Sequence, residues 1–163
     1  MVVGILGGGQ LARMLALAGH PMGIRCMVLD PADDACSAPV AMHLHGAFDD
    51  RALLDKLAAS VDVITYEFEN VPLESLRYLS SKVPVYPPLT ALEATQDRLI
   101  EMNLFREICI DTADFLPVSS LALLASAVEK IGIPSVLNTR RRGYESKGQV
   151  VREVAAVGAG AWP

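Results

Sequence analysis

The chain has 163 residues, of which 52% are hydrophobic and 20% are charged, and its formal net charge at pH 7 is −5. This length and apolar content suffice to bury the core of at least one domain, and the low charge excludes disorder over most of the chain. The acidic balance excludes nucleic-acid binding as the main function, and no apolar run reaches the roughly 18 residues of a membrane span.

Cysteine usage and the N-terminal sequence both favour a cytoplasmic protein. Cys26, Cys36 and Cys109 are odd in number and widely spaced, which matches neither a disulfide framework nor a zinc site. An apolar strand is predicted to begin at Val2, which leaves no room for the charged and apolar regions of a secretory signal.

The first half of the chain alternates short apolar runs with amphipathic segments. The apolar runs predict strands at Val2–Leu6, Cys26–Leu29, Val61–Phe68 and Val83–Tyr86. Helices are predicted from about Gln10 to Ala18, from the Asp49-Asp50 cap through Ala58, and over Leu73–Leu79. This alternation is typical of βαβ units, so we predict an α/β, Rossmann-like domain with a parallel sheet over residues 1–88.

Two sets of apolar residues in this half are expected to be buried. Helical spacing defines the predicted face of the first helix, which carries Leu11, Met14, Leu15 and Ala18. Core filling is predicted for Met14, Met22, Met27 and Met42.

The second half has a different character, and we assign residues 89–163 to a second, α+β region. One polar helix is predicted over about Thr90–Glu107, with Gln96-Asp97-Arg98 inside it, and another over Leu121–Ile131. Strands are predicted at Ser135–Thr139 and Gln149–Glu153, on either side of a glycine-containing loop.

A glycine-rich turn follows the first strand. Gly7, Gly9 and Ala12 fit the pattern G-x-G-x-x-A, in which glycines let a phosphate approach the backbone and the following helix offers free N–H groups. Asp30 lies at the end of the second strand, where dinucleotide-binding folds place a ribose-binding acid. The pattern therefore indicates NAD, or else a turn that only joins strand to helix, with Asp30 forming a turn before Pro31.

A second polar cluster follows the third predicted strand of this half. Glu67 and Glu69 alternate along that strand and should share one face, next to Asn70. Open α/β sheets bind ligands at the carboxyl ends of their strands, so these side chains are either ligand contacts or a solvated strand end.

A third element lies between the last two predicted strands. Gly143 and Gly148 flank Lys147 in a loop that could fold over a triphosphate, although a plain hairpin loop would explain the same residues. His43 and His45 would share a strand face, but without a third ligand they predict edge histidines and no metal site.

In combination these segments resemble one family. GGGQLARM at 7–14, Leu29-Asp30-Pro31, DVITYEFENVP at 62–72, QDRL at 96–99 and residues 139–149 occur in the order and spacing of the 5-(carboxyamino)imidazole ribonucleotide synthases. These are ATP-grasp ligases of purine biosynthesis. The resemblance runs from Met1 to about Trp162 and implies a pre-ATP-grasp domain followed by the start of an ATP-grasp domain.

The resemblance implies a reaction and a set of contacts. ATP would phosphorylate bicarbonate, and the amine of aminoimidazole ribonucleotide would then take the carboxyl group, with ADP and phosphate released. Substrate contacts are implied for Gly8, Gly9, Gln10, Leu11, Glu67, Glu69 and Asn70. ATP contacts are implied for Arg98, Asn138, Gly143, Tyr144, Glu145, Ser146, Lys147, Gly148 and Gln149.

The chain departs from the family pattern at its ATP contacts. Asn138 stands where the family has a lysine, Ser146 replaces a glycine of the loop, and Arg142 replaces another glycine. The residues that bind magnesium and adenine, and all assignable catalytic residues, are expected beyond Pro163. We therefore expect an incomplete ligase that is inactive alone and is a monomer or weak homodimer.

Two alternatives to the ligase remain open. The glycine pattern with Asp30 favours an NAD-binding oxidoreductase domain. Asn138 and Ser146 favour a non-catalytic module that has kept the fold and lost the chemistry.

Overall fold

The computed structural model describes residues 1–141 and 149–152. The chain divides into two compact units, Met1–Glu93 and Ala94–Pro163, which are described separately below.

The first unit is built on a four-stranded parallel sheet, which confirms the predicted α/β class. Its strands are β1 (Val2–Leu6), β2 (Arg25–Asp30), β3 (Met42–His45) and β4 (Val63–Tyr66), in the order β3-β2-β1-β4. Leu6 pairs with Leu29 on one side and with Tyr66 on the other, so three strands end at the same edge.

Helices follow three of these strands, whereas a loop joins β2 to β3. The helices are α1 (Gln10–Gly19), a 3₁₀ turn at His20–Met22, α2 (Arg51–Ser60), α3 (Leu73–Ser80) and α4 (Leu89–Thr95). Asp50 caps α2 as predicted, with its carboxylate accepting from the N–H groups of Ala52 and Leu53. No helix in the described part of the chain is long and apolar enough to cross a membrane.

Both faces of the sheet are buried, which explains why its strands are almost continuously apolar. One core cluster contains Leu29, Leu54, Leu57, Ile64, Leu76 and Leu79, and the other contains Ile5, Ala12, Ala16, Cys26 and Val28. The second cluster is made largely of small residues, which lets α1 lie close to the sheet.

This close approach reverses the predicted face of α1. Ala12, Ala16 and Gly19 are its buried residues, whereas Leu11, Met14, Leu15 and Ala18 are exposed. Core filling is confirmed for Met27 but is wrong for Met14, Met22 and Met42, which are 63%, 68% and 45% exposed. Small residues occupy the inner face, where Ala12 and Ala16 pack against Cys26 and Val28 of β2.

The second unit contains α5 (Arg98–Glu107), α6 (Leu121–Ile131) and an antiparallel pair, β5 (Ser135–Asn138) and β6 (Gln149–Arg152). The single helix predicted over Thr90–Glu107 is wrong. Asp97 has extended dihedral angles and caps a new helix, so α4 and α5 are separate.

Two predicted strands of the first unit are also corrected. Val83–Tyr86 forms only one bridge, between Val85 and Ile64, and no strand. The strand predicted through Phe68 ends at Tyr66, so Glu67 and Glu69 lie in the turn that follows and do not alternate on a strand face.

Candidate functional site

The glycine turn lies at the edge where β1, β2 and β4 end. The Gly7 N–H donates to the Leu29 carbonyl at 3.0 Å, and the Glu67 N–H donates to the Leu6 carbonyl at 2.9 Å. Gly7 has a φ of +102°, a conformation that favours glycine. The chain therefore turns sharply here and brings the residues after β4 against the start of α1.

The side chain of Glu67, which follows β4, lies at the N-terminus of α1. Its carboxylate accepts from the Gly9 N–H at 2.6 Å and from the Leu11 N–H at 3.1 Å. A carboxylate is stabilised at this place because the first N–H groups of a helix lack backbone partners and carry a partial positive charge. Gly9 and Glu67 are 58 residues apart in the sequence, so local sequence patterns do not predict this contact.

Asp30 binds the same turn from the other side. One of its carboxylate oxygens accepts from the Gly8 N–H at 2.7 Å, and the other accepts from the Ala32 N–H at 2.8 Å. Asp30 thus stabilises the turn at Asp30–Ala32, which agrees with the turn-forming alternative for this residue.

The glycines permit these carboxylates to approach. A Cβ at Gly8 would lie 2.9 Å from the Cβ atoms of Asp30 and Ala35, and a Cβ at Gly9 would overlap the Glu67 carboxylate. The G-x-G-x-x-A pattern is therefore satisfied by contacts within the chain. A dinucleotide pyrophosphate would have to displace both carboxylates from the N–H groups it needs, and this argues against the NAD alternative.

A segment that the sequence reasoning missed lies behind the turn. Ser37 is fully buried, and its N–H donates to the Gly8 carbonyl at 2.9 Å. Arg13, on α1, donates to the Cys36 carbonyl at 3.1 Å. No residue pattern in this stretch distinguishes it from an ordinary loop.

The other predicted substrate contacts lie around this turn. Gln10 and Leu11 are exposed on the first turn of α1, and Asn70 is exposed in the turn after β4. The Asn70 amide donates to the Glu69 carboxylate at 3.0 Å. Glu67 and Glu69 therefore differ in surroundings, because Glu67 is bonded to the backbone of α1 and Glu69 to a neighbouring side chain.

The predicted ATP contacts fall in the second unit. Arg98 is the first residue of α5, and its N–H donates to the Arg140 carbonyl at 2.8 Å, while its guanidinium donates to Glu101 at 3.1 Å. Asn138 is exposed at the end of β5, where it pairs with Gln149 of β6. Gly143, Tyr144, Glu145, Ser146, Lys147 and Gly148 lie outside the described residues.

Arg98, Asn138 and Arg140 also line a cavity of about 440 Å³, within the range of small-molecule pockets. Its remaining wall is largely apolar and comes from α6, β5 and residues 113–118. The cavity thus combines an apolar interior with two guanidinium groups and an amide, a combination suited to an anionic ligand with an apolar part.

Asp97 is the buried acid of this unit. Burial raises the pKa of its carboxyl, but hydrogen bonds from Arg140 and from the N–H groups of Leu99 and Ile100 outweigh burial and hold the pKa below its usual value. Among residues 1–141 and 149–152, no group of three or more His, Cys, Asp or Glu side chains could hold a metal ion. The residues that the structure describes therefore do not form a magnesium site.

Known proteins resemble the chain over most of its length. A family model described as the ribonucleotide synthetase preATP-grasp domain matches residues 1–96. The N5-carboxyaminoimidazole ribonucleotide synthase of Pseudomonas aeruginosa is 48% identical over 158 residues, which cover 96% of this chain and 44% of that protein. The Brucella melitensis synthase is 43% identical over 149 residues, covering 91% and 41%.

Solved structures of synthases superimpose on the chain. The Thermus thermophilus synthetase has a TM-score of 0.86 and 43% identity, over 93% of this chain and 41% of that one. An Aspergillus clavatus synthase, solved with ADP and 5-aminoimidazole ribonucleotide, has a TM-score of 0.82 and 30% identity over 94% and 41%. The chain therefore spans less than half the length of these relatives.

Proposed function

Because the chain belongs to the ribonucleotide synthetase pre-ATP-grasp family, we propose that it provides the first part of an ATP-dependent ligase that carboxylates 5-aminoimidazole ribonucleotide. The reaction joins bicarbonate to the exocyclic amine of the ribonucleotide and releases ADP and phosphate. The product is N5-carboxyaminoimidazole ribonucleotide, an intermediate of purine biosynthesis. The observation that carries the proposal is the 48% identity to the Pseudomonas aeruginosa synthase over 158 residues, which span both units.

In this proposal the first unit contacts the ribonucleotide. Gln10, Leu11, Glu69 and Asn70 supply side chains at the edge of the sheet where β1 and β4 end. Gly8 and Gly9 let the Asp30 and Glu67 carboxylates approach the turn beside the ribonucleotide, and Glu67 fixes the shape of the turn through its bonds to α1. Ligands of open parallel sheets bind outside this edge.

The second unit contacts ATP through Arg98, Asn138 and the loop of residues 143–149. ATP transfers its terminal phosphoryl group to bicarbonate, and the resulting carboxyphosphate delivers its carboxyl group to the amine. The protein's part in such chemistry is to position the reactants and to neutralise the charge that develops on the phosphoryl group. Arg98 supplies a neutralising positive charge here, whereas Asn138 supplies only hydrogen bonds.

Calorimetric titration of the chain tests the proposal with three ligands. We expect saturable heat with aminoimidazole ribonucleotide and with Mg·ATP, and none with NAD. Saturable NAD binding without ribonucleotide binding would contradict the ligase and restore the oxidoreductase alternative. The absence of binding heat with all three ligands would favour the non-catalytic module.

We also propose that the protein is cytoplasmic and is a monomer or a weak homodimer. Its free cysteines, Cys26, Cys36 and Cys109, suit a reducing compartment. The exposed residues Met14 and Leu15 of α1 offer an apolar surface to a second copy. Light scattering should show a mass that rises with concentration, and M14E should hold the chain at the monomer mass. A constant mass for the unsubstituted chain would contradict the dimer.

A further inference from the structure

One buried carboxylate joins two parts of the second unit. Asp97 is 5% exposed, and its oxygens accept from the N–H groups of Leu99 at 2.9 Å and Ile100 at 3.4 Å. The same carboxylate accepts from Arg140 twice, from Nε at 3.1 Å and from Nη2 at 2.6 Å. Arg140 begins the stretch that leads into the glycine loop, so Asp97 ties that stretch to the start of α5.

The main chain reinforces the same connection. The N–H of Arg98, next to Asp97, donates to the carbonyl of Arg140 at 2.8 Å. Both arginine side chains remain more than half exposed, at 56% and 57%. The Arg98 side chain pairs with Glu101 at 3.1 Å and the Arg140 side chain pairs with Asp97 at 2.6 Å, and both guanidinium groups remain open to an anion. The two carboxylates offset the repulsion between the arginines.

We propose that Asp97 is a positioning residue for the phosphates of the nucleotide, acting by holding Arg140 beside Arg98. This rests on the proposed function, because it presumes that the second unit binds ATP. A guanidinium paired along one edge keeps N–H donors on its other edge. Arg140 can therefore bind Asp97 and a phosphate oxygen together, and its ion pair with Asp97 orients the guanidinium for the phosphate before the nucleotide arrives.

The simpler explanation is that Asp97 only caps a helix. Asp50 provides the matched control, because it caps α2 in the same way, accepting from Ala52 and Leu53 at 2.9 and 3.2 Å. Asparagine caps helices about as well as aspartate. Asp97→Asn therefore keeps the cap and removes the ion pair with Arg140, and Asp50→Asn makes the same chemical change in the first unit, away from the proposed ATP contacts.

The experiment measures Mg·ATP affinity by calorimetry for the unsubstituted chain, D97N, D50N, R140Q and the double variant D97N/R140Q. We expect D97N and R140Q each to weaken ATP binding about tenfold. The double variant should bind ATP little more weakly than either single variant, because the same Asp97–Arg140 ion pair is lost in all three. D50N should bind ATP like the unsubstituted chain. The NMR signal of the Arg140 Nε–H should exchange slowly with water without nucleotide, and rapidly in D97N.

The outcomes separate the inference from the function on which it rests. If D97N and R140Q bind ATP as the unsubstituted chain does, while Arg98→Gln weakens binding, Asp97 is only a cap and the inference is overturned. If the unsubstituted chain does not bind ATP, the proposed function of this unit is overturned and the inference with it. Should D97N fail to fold, the exchange of the Arg140 Nε–H in the unsubstituted chain decides, because rapid exchange without nucleotide would show that Asp97 does not hold Arg140 and would overturn the inference.

Discussion

The carboxylate of Glu67 should stabilise the first unit by holding the start of α1. We consider Glu67→Gln, which preserves the shape of the side chain and removes its charge. The amide oxygen can still accept from one of the two N–H groups, Gly9 or Leu11, but the amide nitrogen would then face the other N–H. One hydrogen bond is lost and one donor is left without a partner.

The magnitude follows from these contacts. Leaving a partly buried donor unpaired costs about 1–3 kcal/mol, and losing a negative charge at a helix N-terminus costs about 0.3–1 kcal/mol more. Because the site is only partly buried, we expect a loss of about 2 kcal/mol in the free energy of unfolding. For a unit of this size, that loss corresponds to a decrease in Tm of about 8–16 °C.

Thermal unfolding followed by circular dichroism measures the effect, with Glu74→Gln as the control. Glu74 is an acid in the first turn of α3, and its contact is an exposed ion pair with Arg77 at 3.4 Å. Removing that charge should change stability by no more than about 0.5 kcal/mol. Equal melting of E67Q and the unsubstituted chain, or an equal loss in E74Q, would refute the reasoning.

Three further predictions concern the same structural features. Gly9→Ala should destabilise the first unit by about 1–3 kcal/mol because its Cβ would overlap the Glu67 carboxylate, and urea unfolding should show a smaller cost in a Glu67→Ala background, where the overlap is relieved. The depressed pKa of Asp97 gives stability that is present above its unfolded value near pH 4 and is lost as pH falls through the lower, folded value, so Tm should fall with acidification below about pH 4 and less so in D97N. Asn138→Lys should raise ATP affinity about tenfold by calorimetry if Asn138 lies beside the phosphates, and no gain would favour the non-catalytic module.

Local signals were sufficient for much of the fold. The Asp50 cap places the start of α2, and periodicity places α6 at Leu121–Ile131, because these signals act within a few residues. The break between α4 and α5 was missed although Asp97 is a good capping residue. Asp97 also accepts from Arg140, 43 residues away, and local spacing does not reveal this contact.

The buried face of α1 shows a different limit of sequence reasoning. Spacing alone gives two helical faces, one with Leu11, Met14 and Leu15 and one with Ala12 and Ala16. Hydrophobicity favours the larger residues, yet Ala12 and Ala16 are the residues that pack against the sheet. The choice between the two faces depends on what each face packs against, and local spacing does not contain that information.

The glycine pattern illustrates why function was harder to predict than fold. Glycines at 7, 8 and 9 specify a turn that exposes backbone N–H groups, and any anion of suitable size can bind there. Which anion binds depends on residues that the local pattern does not contain, here Asp30 and Glu67. In this chain the Asp30 and Glu67 carboxylates bind the N–H groups of the turn, so the turn holds β1, β4 and α1 together. The ligand then contacts the exposed side chains around that turn, Gln10 and Asn70 among them. The EFENVP sequence at 67–72 and the loop of residues 143–149 together therefore indicate the family, whereas the glycines alone do not.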